Sequence, residues 1–574
     1  MLRVSGMSKG YEAEVVLEDV SFVVNDRERI GLVGPNGSGK STLLRVLGGL
    51  EQPDSGSVWV DPKDRVAYLP QYPLDELGLT VRESLLRGAG RAGELQGRVA
   101  ELEAAMPHAS GEELGRLLEE YGHARDAFEA LGGYELDARI EEVTQGLKLR
   151  GGLEQPVGSL SGGNKTKLSL ARLLLSGASI LLLDEPTNYL DLPALLWLER
   201  WVRESRASYI IVSHDRRFLD RTVASIVELV PEKRSARVWA GMNYTQYAEA
   251  RTKEWEKQLS AWLDQEEERS RIEEDIRRTK EQARGVEQSM QVDTVRRYAK
   301  KVAAKAKARE RRLERQLAES AVERPGRSWG LDLGGLSAGE ASIDDDRTVL
   351  RVRGLRAGYG EREVLRGVEM EVRGRDRVAL LGANGSGKST LVRCVMEEAR
   401  EADRNVRPSG FPGGGLRVTS GEVFWGSGVR PGWLSQEGEE LELDGVVLDV
   451  FRSRTRMYED EARTYLHKFL FSGEEVFKQV RELSYGQRAK LALAVMMLGE
   501  ANFLVLDEPT SHMDMAALEA MEGALSEYVG PLLVVSHDRY FLERVGVNSV
   551  LVMEEGTLRK VDSVEEYAEG LRGG

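Results

Sequence analysis

Apolar positions along the chain follow more than one rhythm. Between Met242 and Arg324 they recur at helical spacing on a narrow stripe: Trp255, Leu259, Trp262 and Leu263, then Ile272 and Ile276, then Val295, Tyr298 and Val302, then Leu313 and Leu317. Such a stripe predicts a two-helix coiled coil. No proline falls between Pro231 and Pro325, and from Met242 to Arg324 the only glycine is Gly285. Gly285 and the polar GVEQSMQVDT it opens (285–294) are the expected turn. A helix of about 40 residues rises roughly 60 Å, so the tip is expected to stand clear of the flanking domains. Elsewhere, short apolar runs read as strands: RIGLVG (29–34), ILLLDEP (180–186), SYIIV (208–212), RVALLG (377–382) and FLVLDEP (503–509). Alternation over Val15–Val24 marks early strands. Residues 90–132 return to helical spacing, broken by Pro107 and Gly111. They predict a helical hairpin on the first domain, either structural cover or a contact arm.

The strand RIGLVG runs into GPNGSGKST (34–42), a G-x-x-x-x-G-K-S phosphate loop. Gly34, Gly37 and Gly39, with Asn36 between them, let backbone N–H groups face a β-phosphate, and the helix that follows adds partial positive charge. Lys40 is placed to reach β- and γ-phosphates, Ser41 to hold Mg²⁺. The strand 180–186 ends in two carboxylates. Asp184 suits Mg²⁺, and Glu185 suits a base that orients and deprotonates the attacking water. SHD (213–215) follows a further strand and offers His214 to a γ-phosphate. LSGGN (160–164) precedes an amphipathic helix, whose N-terminus and Ser161 can bind a phosphate.

The chain then repeats itself. GANGSGKST (382–390), LSYGQ (483–487), LDEP (506–509) and SHD (536–538) return in order. Tyr11 to Lys40 and Tyr359 to Lys388 are both 29 residues; Ser161 to Glu185 and Ser484 to Glu508 are both 24; Glu185 to His214 and Glu508 to His537 are both 29. Turns that arose by chance do not keep such register. The halves differ where a Gly/Pro-rich insert (about 401–415) lengthens the second and where the 90–132 hairpin is missing from it. The reading is an α/β fold of two P-loop ATPase domains, each with a helical subdomain, over 1–241 and 347–574. They are joined by a helical hairpin linker (242–325, tip about 278–297) and a glycine-rich connector (326–346).

Charge changes the picture at one place. The 574 residues carry a net charge of −15, which argues against indiscriminate nucleic-acid binding. Residues 249–287 hold 12 acidic and 9 basic side chains, whereas residues 294–315 hold 10 basic and 2 acidic. Arg296, Arg297, Lys300, Lys301 and Lys305, interleaved with alanines and Tyr298, make a slim cationic helix suited to phosphate backbones of structured RNA. The alternative is a solvated coiled-coil face. The lone Cys394 excludes an internal disulfide and a cysteine metal site, and reads as a small buried filler. No apolar run is long enough to span a membrane and no signal peptide opens the chain, so a cytoplasmic protein is expected.

With these motifs the chain resembles the ABC-F proteins, soluble tandem ABC ATPases, over essentially its whole length. The resemblance implies a monomer whose two cassettes pair head to tail around two composite sites. In one, Tyr11 would stack on adenine and Lys40, Ser41, Thr42, Gln71, Asp184, Glu185 and His214 would hold ATP and Mg²⁺, with Ser484, Gly486 and Gln487 closing it. In the other, Tyr359, the loop residues Gly382, Asn384, Gly385 and Gly387, and Lys388, Ser389, Thr390, Gln436, Asp507, Glu508 and His537 would meet Ser161, Gly162 and Gly163. Ser41, Gln71, Asp184 and Ser389, Gln436, Asp507 would surround the metal. ABC-F proteins enter the vacant exit site of the ribosome and press the linker against P-site tRNA near the peptidyl-transferase centre. Some regulate translation and others displace antibiotics. The long tip implies ribosome protection. Two features depart from the family pattern: Asn164 stands where Gln or Glu is usual, and TSHMD (510–514) differs from TNYLD (187–191). Two competent sites with unequal rates are therefore expected. The cassette motifs alone also fit the ATPase subunit of a drug exporter, which membrane fractionation separates. They fit a DNA-repair ATPase as well, which ribosome-against-DNA capture separates.

Overall fold

In the computed structural model, described residues are 1–289 and 346–573 apart from 13, 71–77, 232, 403–414, 436–440, 456, 470, 472, 499–500 and 512, together with 301, 304, 307 and 308. The chain divides into two units, Met1–Tyr244 with Leu331–Gly574, and Thr245–Gly330.

In the larger unit each half repeats one plan. The first half sets a three-stranded antiparallel sheet, ordered Glu14–Val24, Leu2–Tyr11, Ser55–Val60, beside a six-stranded one. The latter is ordered Val66–Leu69, Ile180–Asp184, Ser208–Val212, Arg29–Val33, Ser225–Val230, Ser235–Trp239, with only the last strand antiparallel. The second half has the same two sheets in the same order. The apolar runs that predicted strands are the central ones. ILLLD and SYIIV are buried at every residue, as strands covered on both faces must be. The helix Lys40–Leu47 lays Leu43, Leu44 and Leu47 onto this sheet. Because Arg29–Val33, Ser208–Val212 and Ile180–Asp184 run parallel and adjacent, the phosphate loop, His214 and the Asp184–Glu185 pair all emerge at their carboxyl ends. That is where open α/β sheets bind ligands.

Residues 90–132 hold helices Arg91–Ala105 and Glu112–Ala130, packed together and parted at Pro107 and Gly111.

The smaller unit is described mainly through one helix, Tyr244–Ser289, of 46 residues. At ~1.5 Å per residue it is about 70 Å long. The turn expected at Gly285 does not begin there: the helix carries Gly285 inside it and runs on to Ser289. One glycine costs a helix about 1 kcal/mol against alanine. Ion pairs along the surface, Arg269–Glu273 at 2.9 Å, Arg271–Glu267 at 3.0 Å and Arg278–Glu274 at 2.7 Å, each four residues apart, support it. The rest of the expected turn, most of the returning helix and Arg296, Arg297, Lys300 and Lys305 lie outside the described residues. Lys301 is helical and exposed. No described helix is long and apolar enough to cross a membrane.

Candidate active sites at two phosphate loops

Each phosphate loop closes on its own lysine. Lys40 Nζ donates to the carbonyls of Gly34 (2.8 Å) and Pro35 (2.9 Å), and Lys388 Nζ to those of Gly382 (2.7 Å) and Ala383 (3.2 Å). Burial lowers both lysine pKa values, against the pull of Glu185 and Glu508. Glycine is required at Gly39, whose φ is 92°. A Cβ there would meet Val16 Cγ1 at 2.8 Å and Leu17 Cδ2 at 2.9 Å. Asn36 and Gly37 complete the turn of the first loop.

Beside each loop stands a hydroxyl–carboxylate pair. Ser41 donates to Asp184, which also accepts from Tyr68 Oη at 3.3 Å, and Ser389 Oγ donates to Asp507 Oδ1 at 3.3 Å. Burial raises the pKa of both aspartates, so each would gain from a cation. These hard oxygen donors fit Mg²⁺. Gln71 and Gln436 lie outside the described residues. Thr42 and Thr390 are buried one position further along.

The two glutamates sit in left-handed backbone, Glu185 at φ 53° and Glu508 at φ 50°, each with its N–H bonded to the neighbouring strand, Val212 O at 2.9 Å and Val535 O at 2.8 Å. His214 Nε2 is 3.1 Å from Glu185 Oε1, and His537 Nε2 is 3.5 Å from Glu508 Oε1. Burial lifts Glu508 to about 8, with Lys388 pulling back, and drops His537 to about 3, so that imidazole is neutral.

The second loop faces a cavity of about 660 Å³. Tyr359, Asn384, Gly385, Gly387, Lys388, Ser389, Thr390, Glu508 and His537 line it from the second cassette; Arg150, Thr187–Leu190 and His214 line it from the first. Ser161, Gly162 and Gly163 are absent from this lining. They form the start of helix Gly162–Leu175, where a Cβ on Gly163 would lie 3.6 Å from Tyr189 Cβ. Tyr11, exposed, lies against the end of helix Lys40–Leu47, donating to Glu51 Oε2 at 2.5 Å and accepting from Arg45 at 3.1 Å. Ser484 and Gln487 cap the helix Tyr485–Leu498, with Gly486 in its first turn. Gln487 N–H donates to Ser484 Oγ at 3.3 Å, and Ser484 N–H to Gln487 Oε1 at 2.9 Å. In the first cassette Asn164 N–H donates to Ser161 Oγ at 3.4 Å. Asn164 is one methylene shorter than Gln487, and only the longer side chain is seen closing a reciprocal box.

Sequence reasoning named Asn384 only as a phosphate-loop residue and missed the contacts that join the cassettes. Asn384 N–H donates to Asp191 Oδ2 at 3.0 Å and Asn384 Nδ2 to Tyr189 O at 3.1 Å. Asp191 also caps helix Leu192–Glu204 through Ala194 N–H. Behind both sites lies a crossed pair of buried ions, Arg216 with Glu522 and Arg539 with Glu199. Arg216 stacks on Tyr540 at 3.9 Å from the ring centroid. The cross obeys the repeat: each arginine is two residues past its histidine, each glutamate 14 past its catalytic-site glutamate. Burial opposes the charge on Arg216, and Glu522 and Asp538 hold it in place. Burial raises Glu199, with Arg539 opposing, and together with Asp538 lifts Asp215 to about 6. A buried charge without an apparent local partner was the available signal.

Two phosphate-loop cassettes paired by buried contacts, with acid-ended strands converging on each loop, define a tandem ATP-binding-cassette ATPase. The ABC transporter family model matches residues 17–188 and 365–511. The putative ATP-binding protein YdiF of Bacillus subtilis is 34% identical over 95% of this chain and 79% of its own. ABC transporter F family member 5 of Arabidopsis thaliana is 31% identical over 99% and 76%. Energy-dependent translational throttle protein EttA of Escherichia coli is 30% identical over 96% and 92%. The chain belongs to the ABC-F family and is an ATP hydrolase. A solved archaeal ribosome recycling factor, aABCE1, shares the fold with a TM-score of 0.60 at 19% identity, over 99% of this chain and 92% of that one.

Proposed function

We propose that this ATPase acts on the ribosome, entering the exit site when its cassettes are closed on ATP and pressing its linker toward P-site tRNA and the peptidyl-transferase centre, where it protects the ribosome from an antibiotic. The observation that carries the ribosome reading is likeness along nearly the whole chain, linker included, to a relative named for throttling translation. A fold neighbour, archaeal ABCE1, is described as ribosome-bound, which is consistent with it. Protection rests on the long linker, whose described helix alone has 46 residues. The name of EttA favours a second reading, a housekeeping translation factor working from the same site.

In each site Glu185 or Glu508 takes the proton of the attacking water, and His214 or His537 steadies the carboxylate and the γ-phosphate. Lys40 and Lys388 leave their loop carbonyls for phosphate oxygens. Ser41 and Asp184, or Ser389 and Asp507, with Gln71 or Gln436, would hold Mg²⁺, which would supply neutralisation of phosphate charge. ATP bridging the cassettes favours the closed clamp and hydrolysis releases it.

Sedimentation with 70S ribosomes tests the reading. The Glu185→Gln/Glu508→Gln chain is expected to co-sediment with ATP and to stay in the supernatant without it. No association while ATP is bound overturns the ribosome assignment. Growth in peptidyl-transferase and tunnel inhibitors then separates protection from housekeeping. Reversing Arg296, Arg297, Lys300 and Lys301 is expected to weaken ribosome binding about tenfold or more at physiological salt while sparing ATP binding. Unchanged binding returns this basic stretch to the solvated-face reading.

A further inference from the structure

The first cassette sends one arginine into the second cassette's ATP site. Arg150 lines the cavity, and its guanidinium donates to the carbonyl of Asn384 in the phosphate loop. A Cβ on the next residue, Gly385, would stand 2.6 Å from Arg150 Nη1, so the guanidinium lies directly against the loop at that glycine. The same stretch of loop is gripped by Asp191 and Tyr189 from the first cassette, which fixes the wall from which Arg150 reaches. Arg150 is also one of the charges acting on buried Lys388, the lysine of that loop, and depresses it.

Among the described residues, no arginine acts on the first site's Lys40. Gly473 stands eleven residues ahead of Ser484, as Arg150 stands eleven ahead of Ser161. The charges acting on Lys40 are the carboxylates of Glu185, Asp514 and Asp184. The repeat that matches so many positions breaks at this one.

A guanidinium forks onto phosphate oxygens more strongly than onto a neutral carbonyl, because both partners are charged and the geometry is bidentate. A carbonyl-bound arginine at the mouth of a phosphate cavity is therefore poised to exchange one oxygen for another. We infer that Arg150 is a nucleotide-contacting residue of the second site, supplied by the first cassette, which binds the terminal phosphate and makes that site alone discriminate ATP from ADP. The inference concerns ATP binding and does not depend on the ribosome.

The test is equilibrium binding of ATP and ADP to full-length protein by calorimetry, one site at a time. In a Lys40→Ala chain, which reports the second site, Arg150→Ala is expected to weaken ATP about tenfold or more, one lost charge-assisted contact, and ADP by less than about threefold. Arg150→Lys, with charge but no fork, is expected to fall between. In a Lys388→Ala chain, which reports the first site, Arg150→Ala is expected to leave ATP affinity within about twofold, and this also checks that the variant folds. Equal losses of ATP and ADP would mean that Arg150 only props the loop. That result, an unchanged ATP affinity at the second site, or a matching loss at the first, overturns the inference.

Discussion

Glu185→Gln combined with Glu508→Gln lowers ATP turnover by a factor of about 10²–10⁴, the usual contribution of a positioned general base, while ATP still binds. Each carboxylate directly follows a central strand, Glu185 buried and Glu508 partly so. Neither oxygen of Glu185 has a well-formed hydrogen bond among the described residues. A buried acceptor left that way costs about 1–3 kcal/mol, a cost understandable in a group that takes a proton from water. Glutamine preserves shape and the backbone anchor to Val212 O or Val535 O and removes only basicity. Phosphate release measured beside filter retention of labelled ATP separates the two effects. Wild-type turnover in the double variant would remove both glutamates from the chemistry. Loss of binding along with turnover would make them structural.

Arg216→Ala destabilises the paired cassettes by about 3–5 kcal/mol, because buried Glu522 then keeps only the exposed Arg544, 4.0 Å away. Glu522→Ala does the same to Arg216. Removing both costs little more than removing either, since what hurts is the abandoned charge. The related pair is softer: Glu199 also has Arg221 at 3.4 Å and Arg572 at 3.5 Å, against the single Arg544 at 4.0 Å beside Glu522, so Arg539→Ala is expected to cost less than Arg216→Ala. Urea unfolding of the two singles and the double checks this. Additive losses in the cycle would show that the two side chains do not depend on each other.

The contrast between these two predictions marks what a sequence discloses. The loop around Lys40, the strand ending at Glu185 and the strand ahead of His214 are local objects, each a few residues whose apolar run and turn chemistry suffice to build them. Their repetition with fixed offsets made both copies legible. The partners of Arg216, Arg539 and Asn384 are 306, 340 and 193 residues away. Composition near Arg216 is silent about Glu522, because only the pairing of two finished domains brings them together. Arg150 was hidden for the same reason. Gly285 misled in the opposite way: its local preference for a turn was real but small, and a long helix tied by ion pairs absorbed it. Asn164 was recognised as a departure, but that it lacks the reciprocal cap made by Gln487 needed coordinates.

The left-handed backbone at Glu185 and Glu508 has a consequence for anyone engineering this protein. A residue with a side chain held in that region costs about 1–3 kcal/mol, and glycine occupies it freely. A blind search for heat tolerance will therefore drift toward glycine at these two positions and be rewarded with hardier molecules that no longer turn over. Libraries built for thermal robustness should hold both codons fixed, and the gain must be sought elsewhere in the scaffold.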